Sequence, residues 1–291
     1  MPELPEVETI VRGLRKRVLD RTFINFWTDN PKAIKRPGSL NIFKKNILGK
    51  KIERVGRRGK NVLIYLSGEK ILLIHQKMTG HLLVGEWRMA GGQWRPLKDG
   101  PLADPVNRFI HLIFWFDSGE MLALSDLRKF AKVELWEEED FKNDENIRKI
   151  GPEPLEKSFT LKRFKKILSG TKGKIKQVLM NQGVVAGIGN IYSDEILWRA
   201  RIHPLKETSG LSPMEVKNIF QEIKKVLARA IEVGGTSISD FRTVTGEKGF
   251  FAEERRVYRL EGEPCVRCRA KIKRIKLGGR SAHFCPKCQK L

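Results

Sequence analysis

The sequence predicts an α+β fold with two domains. In its first half, one amphipathic helix is followed by short apolar runs separated by turn residues, which is typical of a β-rich domain. Beyond about residue 158 the apolar residues recur at helical spacing, which indicates a helical domain. All four cysteines lie near the C-terminus in a pattern that predicts a zinc ribbon. A chain of 291 residues is long enough to bury two cores.

Residues 5–19 predict the leading helix. Its apolar positions recur at helical spacing: Val7, Ile10, Val11, Leu14 and Val18. Pro5 suits the first turn of a helix, where no backbone N–H is required. Glu6 and Glu8 stand near the positive end of the helix dipole, and the basic residues 15–17 stand near its negative end. These features indicate a helix that packs on the β-rich domain.

Six apolar runs predict the strands of the N-terminal domain: 61–67, 70–76, 81–85, 109–116, 120–124 and 131–136. Residues 67–69 and 117–119 have the composition of tight turns between paired strands. The stretch 87–107 is rich in Gly, Pro and polar residues, so it predicts a long surface loop. We therefore place the N-terminal domain at residues 1–136.

An acidic segment that ends in Gly-Pro-Glu-Pro predicts an interdomain linker at 137–158. The helical domain then covers 159–254. Within it, Ser212 and Glu215 form a capping-box pattern with Pro213 at the first helical position. The buried face of that helix is predicted at Ile219, Phe220, Ile223, Val226, Leu227 and Ala230. Gly234 and Gly235 end it, and the region 236–257 predicts a mobile loop.

The charge of the chain indicates an anionic partner. The formal net charge is +23 and the pI is near 10.0. Residues 255–291 hold 12 Lys and Arg against two Glu, so the excess is concentrated around the cysteines. Phosphate backbones are the commonest partner of such a surface. A basic membrane-surface protein is the rival, but no lipidation signal or anchor helix is present.

No apolar run approaches a membrane span, and no signal peptide opens the sequence. We therefore expect a soluble, intracellular, cytoplasmic protein that does not bind membranes. We also expect it to act as a monomer.

The four cysteines predict a structural zinc site. Cys265 and Cys268 are separated by two residues, as are Cys285 and Cys288, and sixteen residues separate the pairs. Two such pairs complete the tetrahedral sulfur shell that zinc prefers, with no open position for catalysis. Disulfides are the alternative, although nothing indicates secretion. The intervening residues are strongly basic and could contact nucleic acid: Lys271, Lys273, Arg274, Lys276 and Arg280.

The first three residues suggest a nucleophile. When Met1 is removed, Pro2 has a free secondary amine, and an α-amino group is far less protonated at pH 7 than a lysine. Such an amine can attack a sugar carbon and form an iminium, which acts as an electron sink. Glu3 is placed to move a proton. Taken alone, a Met-Pro start is more often inert, and Glu3 could simply favour the helix start.

Five ordered motifs give the full chain a family resemblance. They are Met-Pro-Glu-Leu-Pro-Glu-Val-Glu-Thr at 1–9, Arg-Arg-Gly-Lys at 57–60, Gly-Pro-Glu-Pro-Leu at 151–155, Val-Ala-Gly-Ile-Gly-Asn-Ile-Tyr at 185–192 and Gly-Arg-Ser-Ala-His-Phe-Cys-Pro at 279–286. In this order they resemble bacterial formamidopyrimidine-DNA glycosylase, which removes 8-oxoguanine and ring-opened purines. The resemblance implies an N-terminal β-sandwich, a helix–two-turns–helix motif and a zinc finger at 255–291.

The resemblance also implies a set of catalytic residues. Pro2 would attack C1′ of the damaged nucleotide and form a Schiff base, and Glu3 would act as general acid and base. Lys60 would assist elimination and contact phosphate. Arg280, on the zinc finger, would grip phosphates beside the lesion. The expected activities are those of a DNA glycosylase and AP lyase of base excision repair, with one structural Zn²⁺ and no other cofactor.

Further residues are assigned to DNA by the same resemblance. Asn190, Lys172 and Tyr192 belong to the phosphate-binding region around the helix–two-turns–helix motif, and Glu6 belongs to the lesion pocket. A base inside a duplex must be extruded before it can react. The residues that would fill the gap are Met78, Arg128 and Phe130. Without the resemblance, Met78 and Phe130 would be taken as ordinary core residues. Gly246 and Gly249 match the flexible loop over the extruded base.

The chain departs from the family pattern at several positions. Phe109 stands where a His is common, so that only His111 remains of a pair and a DNA contact there is in doubt. Ala131 and Arg269 each replace a usual Gly, and Arg259-Leu260 stands where the family usually has Gly-Arg. None of these removes a residue of the chemistry.

Three alternatives stay open. Endonuclease VIII, a sister glycosylase for oxidised pyrimidines, shares the proline but typically opens with Pro-Glu-Gly-Pro, whereas Leu4 and residues 7–9 favour the purine enzyme. A non-catalytic zinc-ribbon DNA-binding protein would need neither a free Pro2 nor Glu3. An RNA-binding accessory protein is permitted by the charge alone.

Overall fold

In the computed structural model, which describes residues 1–291, the chain begins with helix α1 (Leu4–Arg17). Glu3 caps it through a reciprocal box in which the Glu3 N–H donates to Oε2 of Glu6 at 2.8 Å. Pro5 lies in the first turn, as predicted. The predicted apolar face is fully buried, so α1 packs on the domain that follows.

Two sheets form the body of the N-terminal unit. The four-stranded sheet has the spatial order β1 (Phe23–Thr28), β9 (Ile110–Phe116), β10 (Met121–Ser125) and β6 (His81–Gly85). The five-stranded sheet has the order β2 (Ile34–Arg36), β11 (Lys132–Glu137), β5 (Lys70–His75), β4 (Asn61–Leu66) and β3 (Ile52–Arg58). All neighbouring strands are antiparallel except β2 and β11.

One apolar core joins both sheets to α1. Phe23 and Phe114 of the first sheet, with ring centroids 4.9 Å apart, share this core with Ile64 and Ile74 of the second. Alternate residues of each strand point into it because side chains alternate across a strand. The predicted β-sandwich with a leading helix is therefore confirmed.

The outer faces of both sheets are also covered. Helix α3 (Glu138–Asn143) places Phe141 against Trp136 of the five-stranded sheet. A hairpin of β7 (Trp87–Ala90) and β8 (Gln93–Pro96) places Trp94 against Trp27 and Trp115 of the four-stranded sheet. Each sheet thus buries apolar side chains on two faces.

These covering elements correct two predictions. The stretch 87–107 is not simply a loop, since it contains β7, β8 and the 3-10 turns Pro101–Ala103 and Pro105–Arg108. The predicted linker contains α3 and a short helix α4 (Glu145–Arg148). The predicted elements did not include β1, β2, β3 and α2 (Leu40–Ile47), which are short and partly exposed and so give a weak periodic signal.

Residues 233–252 belong to the N-terminal unit, which consists of Met1–Arg148 and Val233–Ala252. From the sequence, these residues were predicted to lie in the helical domain. Their assignment follows from packing, because Phe241 and Val244 enter the sandwich core and the Val84 N–H donates to the Val244 carbonyl at 2.8 Å. Residues 233–252, which follow the helical region in the sequence, are therefore part of the N-terminal unit.

The second unit consists of Lys149–Glu232 and Glu253–Leu291. Its helices are α5 (Leu161–Ser169), α6 (Ile175–Met180), α7 (Asn190–Ala200) and α8 (Pro213–Glu232), and the short α9 (Phe251–Glu254) spans the boundary between the units. The capping box of α8 is confirmed, since Ser212 and Glu215 exchange hydrogen bonds of 2.8 and 3.2 Å. None of the helices combines the length and the hydrophobicity that spanning a membrane requires.

Candidate active site and metal centre

The N-terminal unit gathers charged side chains around its first residues. Pro2 is buried, Glu3 is 3% exposed and Lys60, in the turn from β3 to β4, is 7% exposed. Burial lowers the pKa of the Met1 α-amino group, while the charges of Glu3 and Glu6 raise it and that of Lys60 lowers it. Pro2, Glu3, Glu6 and Lys60 are therefore brought together, although Lys60 is far from the other three in the sequence.

Glu6 ties the N-terminus to the segment 233–252. Its Oε2 accepts from the Glu3 N–H, and its Oε1 accepts from the Thr236 N–H at 2.7 Å. Gly235 has a φ of +82°, and a Cβ there would lie 3.1 Å from Oε1 of Glu6. The glycine is thus required both by the backbone conformation and by the close approach of the carboxylate.

The turn that bears Lys60 is organised by Arg57. Its guanidinium donates to Oε2 of Glu8 at 3.2 Å and to the Gly59 carbonyl at 2.9 Å. Gly59 has a φ of +56°, which a glycine adopts without strain. The motif at 57–60 therefore encodes a fixed turn as well as a lysine.

His75 is a histidine that the sequence did not single out, and the positive charge of Lys60 acts on it. Burial, followed by the positive charges of Lys77, Lys132 and Lys60, lowers its pKa to about 3. Its Nδ1 accepts from the Lys77 N–H at 2.9 Å. The imidazole is therefore neutral at pH 7. The sequence offered only its place in the apolar run 70–76, since the pairing of His75 with Lys132 is visible only in the structure.

The three predicted inserting residues lie on two exposed loops. Met78 is 38% exposed and Phe130 is 51% exposed. The guanidinium of Arg128 lies 4.5 Å from the centroid of the Phe130 ring. Exposed apolar side chains grouped in this way are typical of a binding surface. The alternative that Met78 and Phe130 are core residues is wrong.

In the second unit, a turn precedes α7. The Gln182 amide fixes it by donating to the Met180 and Ile188 carbonyls at 2.8 Å and accepting from the Gly187 N–H at 2.8 Å. Asn190 is the first residue of α7, and its Oδ1 is buried without a hydrogen-bond partner. Because the helix dipole is positive at this end, an anion is favoured beside Asn190.

Lys172 and Tyr192, two other predicted DNA-binding residues, differ in their exposure to solvent. Lys172 is exposed ahead of α6, as the prediction requires. Tyr192, in contrast, is fully buried. As the third residue of α7 its side chain faces the interior of the unit, so it stabilises the motif and presents no surface of its own.

Four sulfur atoms form the candidate metal centre. The Sγ atoms of Cys265, Cys268, Cys285 and Cys288 all lie within 4.8 Å of one another, and none is in a disulfide. Tetrahedral Zn–S bonds of about 2.3 Å place sulfurs about 3.8 Å apart. The observed Cys268–Cys285 and Cys265–Cys288 separations of 3.3 and 4.0 Å bracket that distance. The four thiols therefore fit a structural zinc ion.

The metal centre holds a hairpin of β12 (Lys273–Leu277) and β13 (Arg280–Phe284). Arg280 is exposed at the start of β13. Lys176, which is 1% exposed, donates to Oδ1 of Asp194 at 2.7 Å and to the Ser281 carbonyl at 2.6 Å. Oδ2 of the same Asp194 accepts from the backbone and the ring of His283. This buried network fixes β13, and so Arg280, against α6 and α7.

Glu195 fixes the entry to the zinc finger. Its carboxylate accepts the backbone N–H groups of Arg256, Val257 and Tyr258 at 2.9 to 3.0 Å. Burial raises the pKa of this carboxyl group, against the opposing effect of the three donors. Asp194 and Glu195, which are adjacent on α7, thus bond His283 and residues 256–258 respectively, ahead of the second and first cysteine pairs.

Two departures from the family pattern share one backbone feature. Arg259 and Arg269 have φ values of +54° and +63°, in the left-handed region that favours glycine. The family preference for glycine at both places is therefore conformational. At a third departure, the guanidinium of Arg108 lies over the ring of Phe109, 4.9 Å from the ring centroid.

The class that these features define is that of DNA glycosylases with a zinc finger. Three family models match consecutive parts of the chain: the formamidopyrimidine-DNA glycosylase N-terminal domain at residues 1–133, its H2TH domain at 150–242, and the zinc finger found in FPG and IleRS at 262–291. The chain belongs to the formamidopyrimidine-DNA glycosylase family. It is thus a DNA glycosylase of base excision repair that binds DNA, and the helix–two-turns–helix and zinc-finger predictions are confirmed.

Named relatives agree along the whole chain. The formamidopyrimidine-DNA glycosylase of Pelotomaculum thermopropionicum is 40% identical over 291 residues, and that of Streptococcus mutans is 38% identical over 290, with full coverage of both chains. Among solved structures, a complex between the Lactococcus lactis FPG and a Fapy-dG containing DNA has a TM-score of 0.86 at 35% identity. A complex of the Lactococcus lactis Fpg with an abasic site containing DNA also has a TM-score of 0.86 at 35% identity. Each of these two comparisons covers 99% of this chain and 100% of the other chain.

Proposed function

We propose that this protein is a bifunctional DNA glycosylase and AP lyase that removes oxidised purines, namely 8-oxoguanine and formamidopyrimidines, from double-stranded DNA. The observation that carries the proposal is the cluster of Pro2, Glu3, Glu6 and Lys60 around the amino terminus. The Lactococcus lactis complex with Fapy-dG containing DNA supports the substrate class.

Pro2 is the proposed nucleophile. Once Met1 is removed, its neutral amine attacks C1′ and the damaged base departs with the glycosidic electron pair, taking up a proton. Opening of the sugar ring gives an iminium between Pro2 and C1′, and Glu3 moves the protons that this requires. An α-amino group is far less protonated near pH 7 than a lysine, which favours the neutral amine that attack needs.

Elimination completes the proposed reaction. The iminium acidifies C2′, so loss of a C2′ proton expels the 3′ phosphate by β-elimination. A second proton loss then expels the 5′ phosphate by δ-elimination. Lys60 and Arg280 hold phosphate oxygens during these steps. Water then hydrolyses the iminium, which frees the Pro2 amine and releases the sugar remnant as an aldehyde. The product is a one-nucleotide gap with a phosphate on each side.

Binding is assigned to residues outside the reaction centre. Phe130 wedges into the base stack, Met78 fills the space left by the extruded nucleotide, and Arg128 hydrogen-bonds the orphaned cytosine. Asn190 and Lys172 hold the phosphate backbone. We further propose one structural zinc ion for each chain, and that the protein acts as a monomer. Because phosphate contacts dominate, affinity falls steeply with salt.

Borohydride trapping tests the proposal. The protein is incubated with a duplex carrying 8-oxoguanine opposite cytosine and, separately, with one carrying thymine glycol, after mass spectrometry has verified that Met1 is absent. We expect a covalent adduct mainly on the first duplex and none with Pro2→Gly. An adduct mainly on the second would indicate an oxidised-pyrimidine enzyme. No adduct on either would refute the lyase mechanism.

A further inference from the structure

We propose that Asp126 is a positioning residue that couples the two DNA-inserting loops, so that Met78 enters the duplex together with Arg128 and Phe130. The first loop is residues 76–80 and the second is residues 126–131. The inference rests on the proposed function, because it presumes that these loops open a duplex.

Asp126 is a buried carboxylate at the root of the second loop. It follows β10 directly and is 2% exposed. Its own N–H donates to the Phe109 carbonyl at 2.8 Å, and its carbonyl accepts from the Lys129 N–H at 3.0 Å. The backbone of Asp126 is therefore fixed, and its side chain projects from a rigid base.

The carboxylate joins the loops through both oxygen atoms. Oδ1 accepts from the Thr79 hydroxyl of the first loop and from the Arg128 N–H at 3.3 Å. Oδ2 accepts from the Ala131 N–H at 2.8 Å. One side chain thus bonds the residue after Met78, the backbone of Arg128 and the residue after Phe130.

Thr79, on the first loop, bonds both Asp126 and the backbone of the second loop. Its Oγ1 also accepts from the Arg128 N–H at 3.1 Å, so this N–H is shared between Thr79 and Asp126. The Thr79 carbonyl lies 3.2 Å from Nδ1 of the buried His81. A hydroxyl that donates and accepts at once cannot be replaced by a methyl group without breaking the link.

The first loop is held tightly at its base. The Gly80 N–H donates to the Gln76 carbonyl at 3.1 Å, and a Cβ on Gly80 would lie 2.5 Å from that oxygen. Lys77 has a φ of +54°. The turn therefore leaves Met78 at its tip with little freedom, and any shift of the second loop is transmitted to it through Thr79.

Coupling has a specific consequence for opposite-base selection. Arg128 is proposed to read the orphaned base, and its backbone N–H is held by the shared bond to Thr79 and Asp126. Loosening this bond leaves the Arg128 side chain intact but widens the range of positions that it samples. Because Arg128 is proposed to hydrogen-bond the orphaned cytosine, we expect the wild-type protein to prefer cytosine over adenine opposite the lesion. That preference should then decline, whereas attack at an already exposed abasic sugar should not.

The experiment compares Asp126→Asn, Thr79→Val and Thr79→Ser. In Asp126→Asn one of the two acceptor oxygens becomes an NH2 donor, which faces either the Ala131 N–H or the Arg128 N–H, and in Thr79→Val the hydroxyl is lost. Single-turnover excision of 8-oxoguanine is measured opposite cytosine and opposite adenine. We expect both variants to reduce the cytosine preference about 3- to 10-fold, the effect of one hydrogen bond. Thr79→Ser, which keeps the hydroxyl, should retain the wild-type preference.

Borohydride trapping on single-stranded DNA with an abasic site is the control, because no gap needs filling there. We expect wild-type trapping by all three variants. If Asp126→Asn and Thr79→Val kept the full cytosine preference, or if Thr79→Ser lost it equally, Asp126 would not be a positioning residue. Should Asp126→Asn fail to fold, Thr79→Val and Thr79→Ser decide the matter alone. Failure of the wild-type protein to trap any substrate would instead overturn the proposed function.

Discussion

Arg242 and Asp104 form a two-point ion pair within the N-terminal unit. The Nε and Nη2 atoms of Arg242 lie 3.0 and 2.9 Å from Oδ2 of Asp104. Arg242 is 4% exposed, and its Nη1 also donates to the Ser239 and Phe241 carbonyls. Asp104 in turn caps the 3-10 turn Pro105–Arg108. The pair therefore fastens the segment 233–252 to the turns that precede β9.

Removing the Arg242 side chain should loosen that segment. In Arg242→Ala, the partly buried Asp104 carboxylate loses its partner, which we expect to cost about 1–3 kcal/mol in the free energy of unfolding. The measurements are urea denaturation and limited proteolysis between residues 236 and 250. Arg229→Ala is the matched control, because its pairs with Glu232 and Glu254 are exposed to solvent and should contribute much less. Equal effects of the two variants would contradict the prediction.

His75 should make the fold sensitive to acid. Its pKa is about 3 in the folded chain, well below its ordinary value, so between about pH 6.5 and pH 3 the unfolded chain binds more protons. Stability therefore declines as the pH falls through this window, by up to about 1.4 kcal/mol for each pH unit from this group. In His75→Asn, an amide oxygen replaces Nδ1 and does not titrate. Urea unfolding from pH 7 to pH 4 should show a shallower decline for the variant; identical slopes would contradict the assignment.

Loss of zinc should disable the C-terminal hairpin. A chelator, or Cys268→Ser, removes the centre that joins residues 265–288, and we expect β12 and β13 to lose order. DNA affinity should fall because the basic hairpin that carries Arg280 is no longer presented. The measurements are zinc content, expected at one ion for each chain, and duplex binding at fixed salt. Adding zinc back should restore the chelated wild type but not Cys268→Ser; unchanged affinity in the apo protein would refute the role of the hairpin.

Arg269 should be more stable as glycine. Its φ of +63° costs an L-residue roughly 1 kcal/mol that glycine does not incur. We expect Arg269→Gly to stabilise the zinc-bound protein by about that amount in thermal unfolding. Lys271→Gly is the control, because the φ of Lys271 is not positive. Glycine there should destabilise the protein, since it increases the conformational entropy of the unfolded chain. A decrease in stability for Arg269→Gly would show that the arginine side chain contributes more than the backbone loses.

The sequence was informative where a feature is local. The apolar period of α1, the Ser212–Glu215 box and the spacing of the four cysteines each involve neighbouring residues, and the structure confirms all three. It was less informative for β1, whose burial depends on distant partners such as Phe114. The loop prediction for 87–107 failed for the same reason, since Trp94 is ordered by Trp27 and Trp115.

The sequence by itself determined the α+β class, the four-cysteine pattern of the zinc finger and, through ordered motifs, the family. Only the tertiary structure decided how distant residues combine. It placed Glu6 against Thr236, Asp126 against Thr79, and the segment 233–252 with the N-terminal unit. The physical reason is that backbone preferences and metal-binding spacings act over a few residues, whereas burial of a carboxylate requires donors that only the folded chain can bring to it.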